Sequence, residues 1–480
     1  MRPTLLLALL ALTPLAPLAA ATPAPARPNF LFIYTDDQRW DALSVVQREH
    51  GEKGRFPFLQ TPHMDRLASE GVRFRNAFVT LALCAPSRAA FLTGRYNHAN
   101  GIANNRTPFP EASVTHASLL RAAGYTTAYI GKWHMGGQTG KRPGFDYSAS
   151  FIGQGRYVDC PVEIDGVSTP TKGWVDDVST DFAIEFMRKQ TAAGPAAKPF
   201  SIVLGYKATH GPFDPPERAK NRYTGAQMRP VPSLGLRAVY RQSEDAPVAK
   251  ANPTAINLGY FRCISAIDDN LGRLLAALDE LRLAQDTVVV FTSDNGYYHG
   301  EHSLGDKRSA YDESIRIPFL VRYPRQFSAG RLVDEMVLNV DLAPTWLDLA
   351  GVPVPREMHG RSWRPLAAGE RVPWRDAFLA EYFLENAFPT TPTLVAVRTA
   401  DAKLVKYPGH DEWTELFDLR ADPYETKNLA REPAATALLA RMTATFDREA
   451  KAVDYRIPDY ADKPGDAATA AKKGGKKKQQ

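Results

Sequence analysis

Four short apolar runs of this chain each end in residues that can bind a metal ion or an anion. Asn29–Tyr34 leads into Thr35-Asp36-Asp37, and Tyr125–Ile130 into Gly131-Lys132-Trp133-His134. Phe200–Tyr206 leads into Lys207 and His210, and Thr287–Phe291 into Asp294-Asn295-Gly296. Asp36, Asp37, Asp294 and Asn295 offer only hard oxygen donors, and no His/Cys cluster with zinc spacing accompanies them. Three carboxylates and an amide oxygen suit Ca²⁺, with Mg²⁺ second. Arg88, Lys132, His134, His210 and Lys307 supply positive donors. A divalent metal facing several cations implies an anion between them, the sulfate or phosphate of an ester whose leaving oxygen gathers charge. Taken singly, each feature has an equally good structural reading. Asp36-Asp37 could cap a helix, Asp294-Asn295-Gly296 could be a plain turn, and His134 could be a satisfied core histidine. Their joint placement favours a site.

The most specific segment runs from Leu83 to Arg95. Cys84 precedes a short helix that Pro86 helps to start and Gly94 ends. A side chain there meets backbone N–H groups that favour an anion. Arg88 lies one turn along, within reach of the same place. A buried loop cysteine is the alternative, but it does not explain the proline and arginine.

The apolar runs above, with Pro318–Tyr323, read as buried strands. Helical patterns lie between them. One starts at Thr61-Pro62 with Met64, Leu67 and Ala68 on one face and stops at Gly71. Another covers His116–Ala123, and a long one carries Phe261, Ile264, Ile267, Leu271, Leu274, Leu275 and Leu278. This alternation predicts an α/β fold with a mostly parallel sheet flanked by helices. Sites form at the carboxyl ends of such strands. Lys207–Pro253, rich in proline and charge, reads as a long loop insertion near the site. From Trp363 the pattern changes. Leu394–Arg398, Lys403–Tyr407 and Thr414–Leu419 predict a smaller antiparallel sheet, followed by a helix around Ala434–Ala450. The expected organisation is therefore 1–21, 28–362, 363–455 and a lysine-rich disordered tail at 462–480.

Residues 1–21 read as a secretory signal peptide. Arg2 precedes a short apolar run broken by Pro14 and Pro17, and Ala19-Ala20-Ala21 offers a cleavage site. The expected location is therefore periplasmic or secreted, with no stable membrane span. The formal charge of +6 includes Lys472, Lys473, Lys476, Lys477 and Lys478 of the tail and Arg2. The remaining body is near neutral, which argues against a nucleic-acid partner. Cys84, Cys160 and Cys263 are the only cysteines, too few for a disulfide scaffold. If Cys84 serves catalysis, Cys160 and Cys263 could pair or stay free.

Cys84-Ala85-Pro86-Ser87-Arg88 followed by Leu92-Thr93-Gly94-Arg95 resembles the signature of the type I sulfatase family. The resemblance covers most of Pro28–Leu429, including Gly131-Lys132-Trp133-His134, Ser293–Lys307, Leu416-Phe417-Asp418-Leu419 and Asp422-Pro423. It implies an alkaline-phosphatase-like fold. It also implies that a formylglycine-generating enzyme converts Cys84 to 3-oxoalanine (formylglycine), which hydrates to a diol. Asp36, Asp37, Asp294 and Asn295 would be the calcium ligands, joined by an oxygen of modified Cys84. Arg88 and Lys132 would hold the diol and the sulfate. His134 would be the base, and His210 and Lys307 would bind sulfate at the leaving oxygen, one of them as acid. The implied reaction has one diol hydroxyl attack sulfur while the alcohol leaves with a proton, after which His134 deprotonates the other hydroxyl, sulfate is expelled and the aldehyde returns.

The function expected is an exported sulfatase acting on a sulfated carbohydrate. Its alternatives are a general arylsulfatase, a phosphate or phosphonate monoester hydrolase on the same fold, and a non-catalytic glycan-binding relative. Trp133, Arg156, Tyr157, Tyr297, Tyr298 and His302 are the candidate rim residues. Rings there suit a sugar or an aryl group, and core packing explains several of them equally well.

Overall fold

A computed structural model describes residues 27–194, 197–242 and 257–463. The expected signal segment, residues 243–253 of the insertion and the tail from 464 onward lie outside the described residues.

The apolar runs form the middle of a 10-stranded sheet. Its order is Arg331–Val333, Val72–Phe74, Phe319–Arg322, Thr287–Ser293, Asn29–Thr35, Phe200–Gly205, Thr126–Lys132, Tyr147–Phe151, Val162–Ile164 and Val167–Thr169. The five strands from Thr287–Ser293 to Tyr147–Phe151 run parallel. Phe319–Arg322 and the Val162–Thr169 hairpin run against their neighbours. Successive side chains of a strand point to opposite faces, and Asn29–Thr35 shows it. Phe30, Phe32 and Tyr34 join one core, while Leu31 and Ile33 join the other. The first core includes residues of the helices Cys84–Thr93, His116–Ala122 and Leu342–Ala350. The second includes residues of Pro62–Glu70, Val175–Thr191 and Leu258–Glu280. Each large apolar side chain so buried contributes about 1.5–3 kcal/mol, enough in aggregate to hold the strand ends still.

Register sets the site. Tyr34 pairs with Gly205 and Gly205 with Gly131, while Tyr34 pairs with Thr292 on its other side. Asp36, Lys207, Trp133 and Asp294 therefore all stand two residues past one row. Gly131 is required there: its φ is +87°, and an added Cβ would lie 2.1 Å from the Gly205 carbonyl oxygen.

Ala377–Tyr382, Leu394–Thr399, Ala402–Lys406 and Glu415–Asp418 form the separate antiparallel sheet, in chain order. Its first strand was not expected from the sequence. One face carries Leu379, Val395, Val397 and Leu404 against Met442 of the helix Thr436–Ala452. The other carries Phe378, Ala380, Ala396 and Val405 into the core of the body. Trp363 belongs to that core too, its ring centroid 6.1 Å from that of Trp346. Among the described residues, no helix is long and apolar enough to cross a membrane.

Candidate active site

Asp36 and Asp37 follow the central strand, and Asp294 and Asn295 follow its parallel neighbour. Asp37 adopts φ +68°, which turns the two adjacent carboxylates toward one place. Carboxylate oxygens of Asp36, Asp37 and Asp294 lie within 4.8 Å of one another, and all three residues are buried. The Asp37 N–H donates to Asp294 Oδ1 at 3.2 Å, and Asn295 Nδ2 donates to Asp37 Oδ1 at 2.7 Å. Asn295 Oδ1 is buried without a hydrogen-bond partner. Burial pushes the Asp37 carboxyl up to about 7, with Lys307 opposing and the Asp36 and Asp294 charges adding to the rise. Crowded carboxylates and an orphaned amide oxygen are the donor set a hard divalent cation satisfies. The residues fit such an ion.

Cys84 opens the helix Cys84–Thr93, which ends at Gly94 in the left-handed conformation. No side chain of the N-cap residue Leu83 caps it. Instead Asn105 Oδ1, from a separate loop, accepts the Ala85 N–H at 2.9 Å. Cys84 Sγ lies 3.3 Å from Asp36 Oδ1. Burial and the Asp36 charge push its thiol well above the ordinary range, against Lys307 and Lys132. Such a sulfur does not form a thiolate readily.

The cations close around this centre. Arg88 Nη2 and Nε lie 2.7 and 3.0 Å from Asp294 Oδ2, and Nη2 lies 3.4 Å from Asp36 Oδ2. Its Nη1 donates to the Lys132 carbonyl at 2.8 Å, and its guanidinium sits 5.0 Å from the Tyr34 ring centre. Lys132 Nζ contacts Asp36 Oδ2 and donates to Gln154 Oε1 at 2.5 Å. Burial raises the Asp36 carboxyl, but Lys132, His210, Arg88 and Lys307 outweigh it and hold the group well below the usual carboxylate range. Lys307 Nζ lies 2.8 Å from Asp37 Oδ1. Burial lowers its ammonium, but Asp37 and the other anions hold it well above the ordinary lysine value.

Burial and nearby cations disfavour the charged form of both histidines. Burial, then Lys132 and Arg88, push His134 well below its ordinary value, and its Nδ1 is buried without a partner. Burial and Lys132 push His210 down to about 3. His210 Nδ1 lies 2.9 Å from the Gly211 carbonyl, which accepts a hydrogen bond from Nδ1–H. A ring nitrogen of His210 also lies within 4.8 Å of ligand atoms of Asp36 and Cys84.

The structure thus brings Asp36, Asp37, Cys84, Arg88, Lys132, His134, His210, Asp294, Asn295 and Lys307 into one neighbourhood. It adds Asn105, Gln154 and Lys207, whose Nζ donates to the Gln154 carbonyl at 3.0 Å. Lys207 was visible at a strand end. Gln154 follows Tyr147–Phe151, whose Tyr-Ser-Ala-Ser-Phe composition carries little strand signal. The expected rim is corrected in part. Trp133, Tyr157, Tyr298 and His302 are buried, and Arg156 and Tyr297 keep exposure. Trp133 packs at right angles on Tyr129 with centroids 4.8 Å apart, and His302 stacks on Tyr311 at 3.7 Å. Cys160 and Cys263 are free buried thiols.

Residues 28–352 match the sulfatase family model, and 300–452 match that of the N-sulphoglucosamine sulphohydrolase C-terminal region. The chain is 32% identical over 476 residues to an N-acetylglucosamine-6-O-sulfatase of Bacteroides thetaiotaomicron, covering 84% of this chain and 82% of that one. It is 30% identical over 465 residues to an ulvan-active sulfatase of Formosa agariphila, covering 91% and 85%. A solved structure of a protein bound to its substrate D-glucosamine-2-N,6-O-disulfate superposes with TM-score 0.80 at 29% identity, covering 90% of this chain and 99% of the other. With its catalytic domain and C-terminal region both matched, the chain belongs to the sulfatase family of hydrolases.

Proposed function

We propose that this protein is an exported sulfatase that removes sulfate from a sulfated saccharide, using Ca²⁺ and a formylglycine made from Cys84 by a formylglycine-generating enzyme. The observation that carries the reading is the meeting of Cys84 Sγ and Asp36 at 3.3 Å inside a ring of buried cations. The kinship with sulfatases of N-acetylglucosamine 6-sulfate and ulvan supports the saccharide class. The basic start and apolar run of residues 1–21 support export.

Asp36, Asp37, Asp294 and Asn295 would hold the ion. Formylglycine supplies, when present, a hydroxyl nucleophile that a buried thiol does not. The chain's own residues do the rest. Arg88, Lys132 and Lys307 bind and orient the sulfate, replacing its hydration by fixed positive charge. His134, neutral with an unpartnered nitrogen, is the proton acceptor. Lys307 is charged at neutral pH, and His210 beside it gains a proton more readily once an anionic ester is bound. These two serve the leaving oxygen.

Mass analysis of the peptide holding Cys84, from protein made with the maturation enzyme, tests the nucleophile. Aldehyde in active enzyme is expected, and full activity with an intact thiol sinks the proposal. Comparing sulfated saccharides with aryl sulfates and phosphate monoesters tests the substrate. If no saccharide loses sulfate while aryl esters do, a general arylsulfatase remains.

A further inference from the structure

The loop between the strands Ala377–Tyr382 and Leu394–Thr399 is tied at two points to segments that carry residues of the active site. Glu385 Oε2 accepts from Arg308 Nε at 2.6 Å, and Arg308 is the residue after Lys307. The Asn386 N–H donates to Asp462 Oδ2 at 2.8 Å. Asp462 Oδ1 in turn accepts from Asn104 at 3.1 Å, next to the Asn105 that holds the start of the Cys84 helix. The loop therefore reaches from the segment of Lys307 to the segment supporting Cys84. Phe388 lies on it.

The Phe388 ring centre is 3.5 Å from the guanidinium carbon of Arg308, and Phe388 is 45% exposed. Arg308 is only 7% exposed and is already engaged by Asp306 and Glu385. Its planar group supports the ring of this half-exposed side chain. Phe388 is the only phenylalanine among the exposed large apolar side chains of the described residues, and its ring lies against a charged group rather than in an apolar core. The ring is thus held on the residue that follows Lys307 in the chain. We infer that the ring of Phe388 is a saccharide subsite, taking the apolar C–H face of a substrate sugar whose sulfate lies at Lys307. This rests on the saccharide reading above. The ring offers no hydrogen-bonding atom, so it recognises a flat apolar face and leaves the hydroxyls to other contacts.

The test uses the mature, metal-loaded enzyme and the sulfated saccharide that the parent turns over fastest. Inorganic sulfate serves as a competitive probe of the anion pocket alone. Phe388→Ala should raise KM for the saccharide about tenfold, the scale of a lost apolar contact. The inhibition constant of sulfate should move much less. Phe388→Trp should stay near the parent. Phe388→Leu, which keeps apolar bulk over Arg308 but no flat face, should resemble the alanine variant. A parental KM in Phe388→Ala or Phe388→Leu overturns the subsite. So does a rise in KM matched by an equal rise in the sulfate constant, which would mean general damage to the site. If the parent itself desulfates no saccharide, the saccharide reading fails instead.

Discussion

Arg88 and Asp294 form a completely buried fork, two guanidinium nitrogens lying 2.7 and 3.0 Å from one carboxylate oxygen. Removing one partner strands the other charge away from water. Arg88→Ala should therefore cost about 3–5 kcal/mol and abolish turnover. Arg88→Lys keeps the charge but not the fork, so it should fall between. Denaturant midpoints measure this. An alanine variant as stable as the parent would show that the pair does not stabilise the fold.

The carboxylate cluster predicts a response to chelation. Without a cation, Asp36, Asp37 and Asp294 repel one another across less than 4.8 Å. Stripping the metal should lower both melting temperature and activity, and Ca²⁺ should restore both better than Zn²⁺. Asn295→Leu removes the orphaned oxygen, so it should weaken Ca²⁺ binding and shrink that recovery. Full activity in protein shown to be metal-free contradicts the assignment.

The central strands and long helices were legible because their apolar runs and periodicity were strong. Asp36, Asp37, Lys132, Asp294 and Asn295 were legible because each stands at the end of such a strand, and Cys84 and Arg88 because Pro86 and Gly94 mark out their helix. Gln154 and Asn105 were not, since each acts from a loop and carries no local pattern. Strand Ala377–Tyr382 escaped because its six residues are buried on both faces, without alternation. Trp133 and Tyr298 looked like rim residues by proximity in sequence to Lys132 and Asn295. The backbone turns at the strand ends send their rings inward, a feature that spacing alone does not reveal.

His116 predicts an acid limb of stability. It is fully buried, neither ring nitrogen has a hydrogen-bond partner, and burial alone pushes it down to about 3. Its folded value lies below its ordinary one. The stability it contributes is present above about pH 6.5 and is lost as pH falls toward 3, by up to about 1.4 kcal/mol per pH unit. His116→Leu should lose less stability than the parent between about pH 7.5 and about pH 4.5. Parallel losses, read from denaturant midpoints, would assign the acid limb to other groups.

Asp312 ties the C-terminal sheet to the body. It accepts from Arg398 at 2.8 and 3.0 Å and from Lys403 at 2.7 Å, and Lys403 also reaches Glu425 at 2.7 Å and the Ala310 carbonyl. Burial raises its carboxyl, but Arg398 and Lys403 hold it well below the usual range. Asp312→Ala should cost about 3–5 kcal/mol. Because Lys307 stands five residues earlier on the same segment, kcat should fall too. A destabilised variant with parental kcat at low temperature would separate the anchor from the site.

His210 and Lys307 should be distinguishable by the leaving group. Lys307 is held protonated by Asp37 and acts as fixed charge on the sulfate, so its worth depends little on which alcohol departs. His210 is neutral in the free enzyme. If it carries a proton to the leaving oxygen, its worth grows with the basicity of that oxygen. A nitrophenolate leaves without help, whereas a sugar alkoxide does not. Lys307→Ala should therefore lower kcat/KM by a similar factor for both ester classes, about two to three orders of magnitude. His210→Ala should lower it by about two to four orders for a sulfated sugar and far less for a nitrophenyl sulfate. Equal losses for both esters in His210→Ala would make this histidine a binding group, and a selective loss in Lys307→Ala would move the acid role to the lysine.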